Sequence, residues 1–237
     1  MRKLKNGLAI LAVAGMFAVL TARSQAAVIL ESEPNNSIAT AQNVDGSFSL
    51  DFSANIGDIT GANTSTTIPH VTITATGDGT FDYYSFTVPS AGAIGIFDID
   101  FGAGFIGSLD TELGLYSAGS GAPLAANDDF FPVAAGAGGS ISSLDSFIQH
   151  TFTSAGTFVI GVGEFNTTAS FGGLTGNVPD AGDTYTLQIS IQGASTAPAA
   201  VPEPSSLVLL GIGAVCLVGY RRKRRRAHVA DGDSQEV

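Results

Sequence analysis

The residues best suited to chemistry open the stretch Glu31-Ser32-Glu33-Pro34-Asn35-Asn36. In an extended segment alternate residues share a side, so Glu31, Glu33 and Asn35 project together. Joined by one or two loop carboxylates, they approach the roughly six to eight oxygen ligands that Ca2+ takes. The same residues also suit a solvated arm with a turn at Pro34-Asn35-Asn36. A second acidic group comprises Asp98, Asp100, Asp110, Glu112, Asn127, Asp128 and Asp129. Its i, i+2 carboxylates and Asn-Asp-Asp loop suit either a further cation site or a solvated face. They also invite a glycosidase reading, in which two carboxyls flank a sugar bond. Against a glycosidase stands the means of gripping substrate: the chain has no Trp, and residues 27–201 have neither Lys nor Arg.

That absence is the strongest compositional signal. All 10 Lys and Arg lie at the ends, as Arg2, Lys3, Lys5 and Arg23 and then without interruption from Arg221 to Arg226. Residues 27–201 hold 17 of the 21 Asp and Glu, with only His70 and His150 as further titratable bases. Carboxylates there find no Lys or Arg partner, so each must be solvated, protonated or metal-bound. Phosphate binding needs Lys or Arg, which excludes nucleic acid as a partner and favours a divalent cation. The one cysteine, Cys216, lies outside this stretch, so it contains neither disulfide nor thiol nucleophile. No Gly-x-Ser-x-Gly elbow occurs. Gly102 to Gly107 fits Gly-x-Gly-x-x-Gly, but a strand pattern follows where a nucleotide loop needs a helix.

The elements that must position these groups read as strands. Tyr185, Leu187, Ile189 and Ile191 alternate with polar residues, the signature of a half-buried strand. Residues 82–88 turn Tyr84, Phe86 and Val88 inward. Residues 93–101 turn Phe97, Ile99 and Phe101 one way and Asp98 and Asp100 the other. Further strands are expected over 48–52, 70–75, 111–116, 147–152 and 157–162, separated by Gly, Asn, Asp and Ser clusters. Sustained helical periodicity is missing. The expectation is an all-β antiparallel sandwich over residues 27–192, of jelly-roll kind, followed by a flexible linker over 193–201.

The two ends read as targeting segments. Residues 1–26 have a basic start, an apolar run over 7–20 and small residues before Ala26, which predicts a signal peptide cut by signal peptidase after Ala26. Near the other end come Pro202-Glu203-Pro204, the charge-free apolar run 207–220, and the basic block 221–226 with Arg221, Arg222 and Arg224. As a helix the apolar run covers about 21 Å of a roughly 30 Å hydrocarbon core, a short transmembrane span with its basic end inside. This order resembles the PEP-CTERM sorting signal. The resemblance implies an exosortase that removes the tail after transient anchoring in the inner membrane. The protein then goes to the cell surface or extracellular matrix, typically in Gram-negative bacteria that make exopolysaccharide. Residues 227–237 continue past the arginines, where that pattern usually stops, as a disordered tail.

The exported part also resembles a family. Its acidic opening, the Asp82-Tyr83-Tyr84-Ser85-Phe86-Thr87-Val88 strand, Asp110-Thr111-Glu112-Leu113, Asn127-Asp128-Asp129 and the strand beginning at Gly156-Thr157-Phe158 follow the order of the bacterial pre-peptidase C-terminal (PPC) domain, a β-sandwich appended to secreted proteases. The resemblance implies calcium at Glu31, Glu33, Asn35, Asn36 and Asp82, as in collagen-binding relatives. Long insertions over 59–80 and 130–146 depart from the pattern, and no protease domain stands in front. Together these readings point to a non-enzymatic, structural or adhesive exported protein. Calcium would tie it to itself or to acidic exopolysaccharide; a secreted hydrolase and a carbohydrate-binding module are the alternatives.

Overall fold

The computed structural model describes residues 28–101, 109–131, 135–138 and 142–197. The signal peptide, the sorting segment with its apolar run, and residues 227–237 lie outside the described residues. Among these, the strands in chain order are β1 (Val28–Leu30), β2 (Gln42–Asn43), β3 (His70–Thr76), β4 (Asp82–Val88), β5 (Ile94–Phe101) and β6 (Thr111–Ser117). They continue with β7 (Pro123–Asn127), β8 (Phe147–Thr151), β9 (Gly156–Glu164), β10 (Thr168–Ser170), β11 (Gly173–Thr175) and β12 (Thr184–Ile191). Two five-stranded sheets form, in the orders β1-β3-β12-β5-β8 and β2-β4-β9-β6-β7, and β10 pairs with β11. No described residue is helical.

The sheets face each other across one core, which explains why the alternating segments fold as they do. Ile73, Phe97, Ile99, Tyr185, Leu187 and Ile189 from the first sheet meet Tyr84, Phe86, Leu113, Leu115 and Ile160 from the second. The period-2 pattern puts one side of each strand in this layer and hides it from water. Phe86 sits at the centre. Its ring centroid lies 5.2 Å from that of Phe97, 6.1 Å from Phe152 and 6.4 Å from Phe158.

Three expectations need correction. The sheets are mixed, since β1 runs parallel to β3 and β2 parallel to β4. These pairings come from the N-terminal arm, whose two short segments carry too little alternation to read as strands. The strand expected over 48–52 is reduced to a bridge between Ser49 and His70, because the chain leaves the sheet there for a long excursion. Finally, Asp98 and Asp100 do share the outer face of β5, but that face is not solvated. Residues 51–69, 135–138 and 142–146 fold over it, leaving Asp98 2% exposed, Gln188 3% and His70 0%. Gly136 makes this closure possible. A Cβ there would stand 1.9 Å from Asp98 Oδ2, and its φ of +77° suits glycine alone. Past β12, the Ala197 amide donates to the Phe48 carbonyl at 2.8 Å.

Phe86→Ala removes the ring that joins both sheets. It is expected to lower unfolding stability by about 3–5 kcal/mol, read by denaturant titration of the exported protein.

Candidate metal centre

The N-terminal arm brings Glu31 and Glu33 over the start of β4. Glu31, Glu33 and Asp82 each offer a carboxylate oxygen, and these atoms lie within 4.8 Å of one another. Register explains the meeting. β1 pairs with β3 as far as Leu30, and the Glu31 amide donates to the Thr74 carbonyl at 3.0 Å, which carries the arm across the end of the first sheet. The Tyr83 amide then donates to the Asn35 carbonyl at 3.0 Å and fixes the arm to β4, beside Asp82.

Within this group some oxygens are engaged and others are not. Glu31 Oε1 accepts from Asn35 Nδ2 at 3.0 Å, and Oε2 from the Thr76 amide at 3.1 Å. Glu33 Oε2 and Asn36 Oδ1 both accept from the Asn35 amide at 2.9 Å. Asn35 and Asp82 are fully buried, yet Asn35 Oδ1 and Asp82 Oδ1 meet no donor. A buried acceptor without a donor loses its hydration uncompensated.

Asp82 is also linked to Glu31 through two tyrosines that sequence reading placed only in the core. Tyr84 Oη donates to Glu31 Oε1 at 2.9 Å, Tyr84 and Tyr185 hydroxyls meet at 2.9 Å, and Tyr185 Oη donates to Asp82 Oδ2 at 2.5 Å. Three contacts share two hydroxyl protons. With Tyr84 donating to Glu31 and Tyr185 to Asp82, both hydroxyl protons are used and the contact between the two hydroxyls has none of its own. Burial pushes Asp82 up to about 8, against the Tyr185 hydrogen bond and with the fields of Glu31, Glu33 and Asp78 adding to the rise. Burial raises Glu33 as well. Without a cation, Asp82 therefore holds a proton at neutral pH.

The second acidic group separates into parts. Asp110, Asp128 and Asp129 converge, with one oxygen from each within 4.8 Å of the others. Asn127 is occupied structurally, its Oδ1 accepting from the Phe147 amide at 2.8 Å. Glu112 points to the outer face of β6, where burial and Asp128 raise it to about 7. Asp98 and Asp100 lie on the other sheet. Burial and then the neighbouring Asp145 push Asp100 to about 7, while Asp100 Oδ2 accepts from Gln188 Nε2 at 3.0 Å. Both converging groups sit at one end of the sandwich, joined there by Glu164, whose raised value reflects burial and then Asp180, Asp183 and Asp110. Of the two histidines, His70 is shifted down by burial and His150 packs its ring 5.0 Å from that of Phe152.

Comparison with known proteins bears on the C-terminal end. Residues 200–225 match the PEP-CTERM protein-sorting motif. This chain carries that motif. It implies an exported protein, directed to the cell surface and processed by an exosortase. The resemblance to the PPC domain gains no support from these comparisons. A search of curated proteins finds no match. Among solved structures, the chain is similar to the Aeromonas hydrophila protein PliG, a periplasmic lysozyme inhibitor of g-type lysozyme. The identity is 14%, with 70% of this chain and 100% of that one covered, at a TM-score of 0.32. A likeness of that size carries no conclusion here. No helix among the described residues is long and apolar enough to cross a membrane, and the 207–220 run lies outside them.

The raised carboxyls make stability fall as pH rises. Each keeps its proton in the fold at a pH where the unfolded chain has lost it, so stability falls progressively as pH rises from the ordinary carboxylate range to about 7–8 and levels off above. His70 acts oppositely, but only below its ordinary 6.5. In chelator, the melting temperature is expected to drop between about pH 6.5 and 8 and to level off above, and Asp82→Asn is expected to flatten the slope. A flat or rising profile for the wild-type protein contradicts the assignment.

Proposed function

We propose that this is a non-enzymatic exported β-sandwich with a structural or adhesive role, delivered by exosortase-type sorting and dependent on Ca2+ at Glu31, Glu33, Asn35 and Asp82. The observation that carries the reading is the meeting of the Glu31, Glu33 and Asp82 carboxylates, with two buried oxygens of this region, Asp82 Oδ1 and Asn35 Oδ1, that no donor satisfies. A hard divalent cation supplies what every one of these atoms lacks. It also takes over the role of the proton on Asp82. Asn36, also expected as a ligand, accepts from the Asn35 amide through its Oδ1, as Glu33 does through Oε2.

The composition supports the same reading. Residues 27–201 contain no Lys or Arg, so the exported domain has no internal counter-ion beyond two neutral-leaning histidines. The resemblance to calcium-binding PPC-like domains points to these four positions together with Asn36. A domain studded with carboxylates joins acidic exopolysaccharide, or another copy of itself, only where a divalent cation bridges the charges. Against a glycosidase stands the means of gripping substrate, since the chain has no Trp and residues 27–201 have neither Lys nor Arg.

Isothermal calorimetry of the exported protein is expected to show Ca2+ binding with a Kd of about 10⁻⁴–10⁻³ M, the range of extracellular modules. Glu33→Gln and Asp82→Asn are each expected to weaken it by about tenfold or more. Asp129→Asn, in the other cluster, is expected to leave it unchanged. No heat at millimolar Ca2+, together with no rise in melting temperature, contradicts the calcium reading.

A further inference from the structure

Three places in the chain read Asn-x-Ser or Asn-x-Thr, the signal whose asparagine accepts sugar in exported proteins: Asn35-Asn36-Ser37, Asn63-Thr64-Ser65 and Asn166-Thr167-Thr168. The bacterial form of this signal adds an acidic residue two positions ahead and tolerates no proline on either side of the asparagine. Asn63 has Gly61 at the acidic position, and Asn35 has Pro34 directly before it. Only Glu164-Phe165-Asn166-Thr167-Thr168 meets every requirement.

The structure separates the three in the same way. Asn35 is fully buried, and its Nδ2 donates to Glu31 Oε1 at 3.0 Å. Asn63 is exposed, but both ends of its carboxamide are held. Its Nδ2 donates to the Ser53 carbonyl at 2.6 Å, and its Oδ1 accepts from the Ser65 hydroxyl at 2.6 Å. Ser65 is itself fully buried, so the hydroxyl of that signal is out of reach. Asn166 instead lies in the short connection between β9 and β10, and both it and Thr168 are exposed. Among the described residues, none hydrogen-bonds its carboxamide. Other groups brace the turn beneath it. The Phe165 amide donates to the Asp110 carbonyl at 2.8 Å, the Thr167 amide to the Glu164 carbonyl at 3.0 Å, and Asn177 Nδ2 to the Phe165 carbonyl at 2.8 Å. The φ of +71° at Asn166 is one that asparagine adopts more readily than most residues. Glycine or aspartate would serve that turn as well, and the turn places no demand on the exposed Thr168 side chain.

We propose that Asn166 is an N-glycosylation site, filled after export by transfer of a glycan from a polyprenyl-diphosphate donor. Asn166 Nδ2 attacks the anomeric carbon of the donor sugar. A carbon–nitrogen bond forms, the carbon–oxygen bond to the diphosphate breaks, and the lipid diphosphate leaves with the electron pair. One amide proton passes to a carboxylate of the transferase, and no oxidant or reductant takes part. The proposal rests on export, which the sorting motif implies, and not on calcium. Because the Phe165 amide ties this turn to Asp110, the glycan stands at the end of the sandwich where the carboxylates gather.

The test is mass spectrometry of the exported protein recovered from its native host. Trypsin has no site within residues 27–201, so peptides are cut at Asp and Glu. The expected result is sugar mass on the peptide carrying Asn166 and none on those carrying Asn35 or Asn63. Asn166→Asp, which keeps a short polar side chain suited to the turn, is expected to abolish it, as is Thr168→Ala. Thr168→Ser, which keeps the hydroxyl, and Asn63→Asp are expected to retain it. An unmodified Asn166 in the wild-type protein overturns the proposal. So does sugar that survives in Asn166→Asp, which places the attachment elsewhere. Undiminished occupancy in Thr168→Ala also overturns it, since the hydroxyl is then not read.

Discussion

One constraint governs this molecule: the exported part contains no Lys or Arg, so its carboxylates have no cationic side chain to lean on. Ordinary domains neutralise buried or crowded acids with arginine and lysine. Here burial at Asp82, Asp100 and Glu112 is tolerated by holding protons well above the usual carboxylate range. Where several acids meet, the remaining solution is a metal from outside. The raised carboxyls and the tyrosine chain between Glu31 and Asp82 are where that shortage shows.

The tyrosine chain shows how the shortage reaches the core. Tyr84 and Tyr185 come from opposite sheets and meet hydroxyl to hydroxyl inside the sandwich, with a carboxylate at either end. They tie the layers together, and they tie the N-terminal arm to both. The state of the acidic end is thereby coupled to the packing of the core. A proton or a cation at Asp82 is a structural component, and the arm from Glu31 to Asn36 is ordered by the same bonds that shape the site.

How much of this could be read from the sequence follows from which forces leave a local trace. Alternation is local, so the inward faces of β4, β5 and β12 were legible residue by residue, from Tyr84 and Phe86 to Leu187 and Ile189. The pairing of Glu31 with Glu33 was legible for the same reason. Parallel pairing of β1 and β2 was not, because two or three residues carry no periodicity. Burial of Asp98 was hidden too, since it depends on remote glycines: Gly57 gives way to Ala137, and Gly136 to Asp98 itself. The seven-residue acidic group read as one came apart because its members sit on both sheets. The tyrosine chain had no signal beyond two aromatic residues in strand patterns, as its contacts span more than a hundred positions.

The most direct measurement is a crystal structure of the exported protein grown with millimolar calcium. The expected result is an ion about 2.3–2.6 Å from carboxylate oxygens of Glu31, Glu33 and Asp82 and from Asn35 Oδ1. A water molecule alone at that position, with Asp82 still bonded to Tyr185 and the protein no more stable than in chelator, contradicts the account.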